Sequence, residues 1–177
     1  MDALTNLRLL LISSTSCSRF SLLGVPEFKF APSSLPFFKG VKSVEPYSPL
    51  YIAFFHYFNT VCDYYVCHDV LEELWLEEGR EPYYQGLLQV AVGLYHLQND
   101  NRNGALKLLS GALEKLSLYP EKEWMGIHLD RLKRDVKKMI TFLNGNALPD
   151  ATPERIVIEL TDPVLRKEVA GMGNPDH

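Results

Sequence analysis

The strongest constraint on this chain is a helix with almost no polar face. After Pro82 come Leu87, Leu88, Val90, Ala91, Val92, Leu94, Tyr95 and Leu97, and a helix apolar nearly all round must lie at the centre of its domain. The rest of the fold has to be arranged about it. Its polar exceptions are Gln85, Gln89 and His96, which fall within about 40° of one another around the helix and so form one stripe. A buried polar group without a partner costs about 1 to 3 kcal/mol, so the stripe demands partners from a neighbouring element.

The preceding segment supplies them. Tyr64-Tyr65-Val66-Cys67-His68-Asp69-Val70-Leu71-Glu72-Glu73-Leu74-Trp75 places His68, Glu72 and Trp75 within about 60° on a second helix. Between the two helices Gly79 suits the position just past a helix end and Pro82 the first turn of the next, so the connection is short and the pair antiparallel. Folding at that turn is expected to set Glu72 beside Gln89, His68 near Gly93 to His96, and Trp75 near Gln85. Gly86 and Gly93 leave room for close helix approach, each at about 1 kcal/mol relative to Ala.

His68, Glu72, Trp75, Gln85, Gln89 and His96 are therefore the candidate polar cluster, and three readings compete for it. In the structural one they close a hydrogen-bond network that fixes the register of the hairpin. In the second, His68 and Glu72, four residues apart on one helix, hold a divalent metal with His96 as third ligand and Gln89 or water as fourth. In the third, Glu72 and His68 act as catalytic acid and base. The arrangement is not HExxH, because no second histidine follows on the helix of His68. No cofactor is otherwise implied.

Several separated blocks in this order resemble the DUF309 family of short all-helical proteins found in bacteria and plants. They are Phe58-Asn59, the Tyr64-to-Trp75 block, Gln85-Gly86-x-x-Gln89, Ala91-x-x-x-Tyr95-His96 and Asn101-x-x-Gly104-Ala105. The resemblance covers about residues 51 to 118. It implies a compact array of about five helices, with His68, Glu72, Gln89 and His96 at the family's polar positions, and it brings no established activity. Asp69 stands where the family usually carries Glu.

The remaining chain divides into a first helix over 49–59, Asp63 as N-cap of the second, a fourth helix over 103–117 with Leu106, Leu109, Leu113 and Leu116 inward, and a fifth over 121–143 with Leu129, Leu132, Val136, Met139 and Leu143 inward. Ile156-Val157-Ile158 reads as an extended strand and 162–170 as a short terminal helix. The expected fold is all-α, a helical domain over 47–144 with the hairpin at its centre and an extended tail over 145–177. Residues 1–46 are Ser-rich and acid-poor; they read as a disordered N-terminal extension, with a plastid transit peptide as the alternative to a cytoplasmic protein.

Function classes can be narrowed from composition. A net charge of −4 and pI near 5.7 give no general attraction to nucleic acid or acidic membranes, and no apolar run reaches the roughly 18 residues that span a bilayer. Arg131, Lys133, Arg134, Lys137 and Lys138 form a basic strip interleaved with acids, which reads as a solvated face, as do Glu73, Glu77, Glu78 and Glu81. Cys17, Cys62 and Cys67 are too few and too scattered for a disulfide framework, and Cys67 reads as a packing residue. His56 and His128 receive no role. Two functions follow: a non-enzymatic module that binds a protein partner or small ligand, with Tyr51, Phe54, Phe55, Tyr57 and Phe58 or the 156–158 strand as contact surface, or a small metal-dependent hydrolase built on His68, Glu72 and His96.

Overall fold

The apolar helix spans Pro82–Gln98 and is the third of six among the described residues, α3; Pro82 opens it and twelve of its seventeen residues are buried. That burial makes it central. The computed structural model describes residues 47–145 and 154–173, so the expectations for 1–46, 146–153 and 174–177 lie outside the described residues. The other helices, in chain order, are α1 (Pro49–Phe55), α2 (Tyr64–Glu77), α4 (Arg102–Leu116), α5 (Leu129–Leu143) and α6 (Pro163–Gly171). The fold is all-α.

Local chemistry sets the boundaries. Asp63 caps α2 by accepting from the amides of Tyr65 and Val66, at 3.1 Å each, as its position before the helix predicts. Gly79 and Arg80 both adopt positive φ, +71° and +67°, which ends α2 and reverses the chain within the four residues before Pro82. The rings of Tyr65, at the start of α2, and Tyr95, near the end of α3, lie 5.9 Å apart. The hairpin is antiparallel.

On its other side α3 packs against α4. A Cβ on Gly86 would lie 2.7 Å from Leu116, and one on Gly93 2.9 Å from Leu109. The two glycines are thus the hollows into which the leucines of α4 fit. The buried stripe of α4 is Ala105, Leu109, Ala112 and Leu116, rotated from the expected one; Leu106 and Leu113 are only half-buried, because close approach to α3 selects the small side chains. Arg102 then reaches the carbonyls of Leu143 (3.1 Å) and Phe142 (3.0 Å) at the end of α5, satisfying groups that a helix terminus leaves unpaired. All five residues expected inward on α5 are buried.

Three expectations are corrected. The first helix is α only to Phe55 and then continues as a π-helical turn, His56–Val61, closed by Cys62 at φ +62°. The fifth helix begins at Leu129 rather than 121; the loop before it carries Met125 at φ +48° and Gly126 at φ +77°, conformations no α-helix contains. Ile156 to Ile158 is extended, with Ile156 and Ile158 buried and Val157 42% exposed, yet it is not a strand in a sheet. Its partner is a side chain: Asn59 donates to the Ile158 carbonyl and accepts from the Ile158 amide, both at 2.9 Å.

Candidate functional site

His68 is buried on α2. Its Nδ1 lies 3.0 Å from Asp69 and its Nε2 4.0 Å from Glu72. Asp69 is 60% exposed and Glu72 33%, so both carboxylates reach toward solvent and their contacts with His68 contribute little. The i,i+4 spacing does what it predicts, bringing His68 and Glu72 to one side of the helix.

His96 has a different partner. Asn101 Oδ1 accepts from the Gly104 amide at 2.9 Å, which turns its Nδ2 toward His96 Nδ1 at 3.0 Å. With Nδ2 donating, Nδ1 must be an acceptor and the ring proton sits on Nε2. Burial lowers the His96 pKa below its ordinary value, and a second proton would bring two donors face to face. His96 is a neutral pin for the turn between α3 and α4.

Gln89 points to α4 rather than to Glu72: its carboxamide oxygen is 3.1 Å from where a Cβ on Gly111 would stand, and that oxygen is buried with no hydrogen-bond partner among the described residues. Trp75 is half-buried, its Nε1 enclosed and without a hydrogen-bond partner among the described residues, with the Arg80 guanidinium 5.8 Å from its ring. Gln85 is half-buried. His68 and Glu72 thus stand together, while His96 and Gln89 engage the α4 side of α3. Among the described residues no group of three or more His, Cys, Asp or Glu is placed to hold a metal ion, and the trio His68, Glu72 and His96 forms no such set.

Of the five aromatic residues expected as a contact surface, Tyr51, Phe54, Phe55 and Phe58 are fully enclosed core residues, and Tyr57 is half-buried. Tyr51 and Tyr83 share a 2.6 Å hydroxyl contact, and Tyr51 also donates to the Met125 carbonyl at 2.9 Å. Burial pushes both phenols well up, so they stay neutral. Cys67 donates weakly to the Phe54 carbonyl, and burial raises its thiol far from reactivity. His128 caps α5 through Nδ1, and His56 is buried with no hydrogen-bond partner for Nε2 among the described residues.

Sequence reasoning missed two adjoining hollows at the other end of the hairpin. One, of about 350 Å³, is lined by Glu78, Glu81, Tyr83, Tyr84, Trp124 and Met125. Its neighbour, of about 410 Å³, adds Tyr47, Glu123, Gly126 and Asp162 to the same Trp124 and Met125. Tyr119 links their parts, donating to Glu81, accepting from the Tyr83 amide at 3.1 Å and placing its ring, tilted, 5.4 Å from that of Trp124. Its hydroxyl pKa is pushed up to about 12 by burial and by the Glu81 carboxylate. The sequence signal was Glu78 and Glu81 flanking the turn, but their aromatic neighbours at 119 and 124 lie some forty residues on.

The fold and these sites define a small helical-array protein organised around a buried hairpin. Residues 51–108, from α1 into the first half of α4, match the model of DUF309, a domain of unknown function. The resemblance seen in the residues holds over that segment. The chain is also similar to the uncharacterized protein YpuF of Bacillus subtilis (strain 168), 37% identical over 73 residues, or 40% of this chain and 42% of YpuF. The match therefore spans well under two thirds of that relative. No solved structure matches the chain.

Proposed function

We propose that the protein is a non-enzymatic binding module whose hairpin histidines and amides hold its architecture. The observation that carries this reading is the Asn101 lock on His96: a histidine held neutral, with its acceptor nitrogen occupied, offers neither a lone pair at Nδ1 nor a mobile proton there. His68, with its two solvent-side carboxylates, is left without a second histidine as partner. A buried polar contact of this kind fixes how elements join.

Mass spectrometry of metal in the untagged protein and in His68→Ala, combined with chemical unfolding, tests the reading. Both proteins should carry no stoichiometric metal, and His68→Ala should lose on the order of 1 kcal/mol, mostly from packing, since exposed partners contribute little. Near-stoichiometric metal that disappears in the variant would instead establish a metal site at His68 and call for hydrolase assays built on His68, Glu72 and His96.

A further inference from the structure

We propose that the two adjoining hollows receive an extended basic peptide segment of a partner protein, with an arginine or lysine head group held between the Trp124 ring and the carboxylates of Glu78, Glu81 and Glu123. The inference rests on the binding-module reading and adds the chemistry of the partner. Both hollows are lined by carboxylates and aromatic rings, and among the described residues neither is lined by Lys or Arg. The Arg80 guanidinium, in the same turn, lies 5.8 Å from the centre of the Trp75 ring.

An aromatic face beside carboxylates is the complement of an organic cation. Tryptophan offers the strongest ring quadrupole of the aromatic side chains, and guanidinium can stack on the ring while pairing with a carboxylate through its edge. Here the two parts are tied together by Tyr119, which touches Trp124 and bonds Glu81. Burial, then Glu78 and Glu81, raise the hydroxyl pKa of Tyr84, which lines the same hollow.

Met125 supplies the adaptable part. Its φ of +48° is sparsely populated for a residue with a Cβ, and it is 37% exposed although apolar. A thioether accommodates ligands of varied shape. The two hollows share the Trp124–Met125 wall and open to solvent. That form suits alternate side chains of an extended chain, which lie about 6.6 to 7 Å apart on one face, rather than a metabolite, which is usually enclosed. The chain's net charge of −4 favours the encounter.

The full chain carries two tryptophans, Trp75 and Trp124, so Trp75→Phe leaves Trp124 as sole reporter. A decapeptide alternating Arg and Gly is titrated by Trp124 fluorescence, and into the unaltered protein by calorimetry. Saturable binding is expected, weakened about tenfold or more in Glu78→Gln/Glu123→Gln and strongly by salt, with no binding of the peptide carrying Glu for Arg. Both substituted positions are exposed, and unchanged unfolding of the double variant shows that its fold is kept. No saturation up to about 1 mM, or equal affinity in the double variant, overturns the proposal. So does arginine amide binding as tightly as the peptide, which would make the hollow a small-cation site, or self-association abolished by the double variant, which would make a second copy the occupant. Metal-free protein that ignores the peptide sinks only this inference; stoichiometric metal lost in His68→Ala sinks the module reading whatever the peptide does.

Discussion

A single carboxamide does the work of a neighbouring strand at Asn59. It satisfies both backbone groups of Ile158, while Arg155 donates to the carbonyl of Asn59 at 3.1 Å. Asn59→Ala would leave two peptide groups without partners and should cost about 1 to 3 kcal/mol. Hydrogen exchange provides the specific readout, since the Ile158 amide should exchange far faster in the variant while amides in α3 follow only the global change. His96 gives a pH signature. Its folded pKa lies below the unfolded value of 6.5, so the unfolded chain binds the proton first. The stability linked to neutral His96 is complete above about pH 6.5 and is lost as pH falls through the folded pKa. Thermal midpoints measured from about pH 7.5 down to about pH 5 should decline, and His96→Gln should decline less, because it has no proton to take up in that window.

Between elements, packing overrules helix propensity. Gly93 sits inside α3, where Ala would gain up to about 1 kcal/mol by propensity alone. A Cβ there would meet Leu109 at 2.9 Å, with the Ala105 carbonyl 3.5 Å away. Gly93→Ala should therefore be net destabilising, by about 1 to 3 kcal/mol for forced overpacking. Gly171 is the control, since it ends α6 with no atom within 4 Å of an added Cβ and without positive φ. Gly171→Ala should be neutral or stabilising by a few tenths of a kcal/mol to about 1. Urea titrations of both variants check the opposite signs. Helix starts with a side-chain or proline signal, at Asp63, Pro82 and Asp162, were legible in the sequence. The π-helical turn and the late start of α5 were not, because apolar periodicity continues through both, while turn geometry and the exchange of bonds with residues 159–162 interrupt the helix.

On the scale of the molecule, the C-terminal segment completes the core. Ile156, Ile158, Leu165 and Val169 are buried, and a pair of contacts, the Ile127–Leu160 bridge and the 2.7 Å Arg131–Glu159 ion pair, fix the segment beside α5. Burying an aliphatic side chain is worth about 1.5 to 3 kcal/mol. Four of them amount to a large part of the roughly 5 to 15 kcal/mol that keeps a domain folded. A chain ending at residue 145 should lose its cooperative unfolding transition, or melt far below the full chain, in calorimetry. The interleaved charges of α5 have local uses, Arg131 with Asp135 and Glu159, Arg134 with Asp130 and Lys138 with Asp135. Among the described residues no helix is long and apolar enough to cross a membrane.

The sequence by itself determined the all-α class, the central hairpin and its turn, and the placing of His68 and Glu72 on one side of their helix. Each depends on residues a few positions apart, where helical geometry converts spacing directly into contact. Only the tertiary structure decided where Gln89 and His96 turn, that Asn59 holds the backbone of Ile158, and that Glu78 and Glu81 share a groove with Trp124. Those contacts join residues whose relation is set by the rotation of α3 between two neighbours and by the return path of the chain. A helix buried on every side gives both neighbours apolar residues to pack against, and the fit of Leu109 and Leu116 over Gly93 and Gly86 chooses which polar groups face which helix.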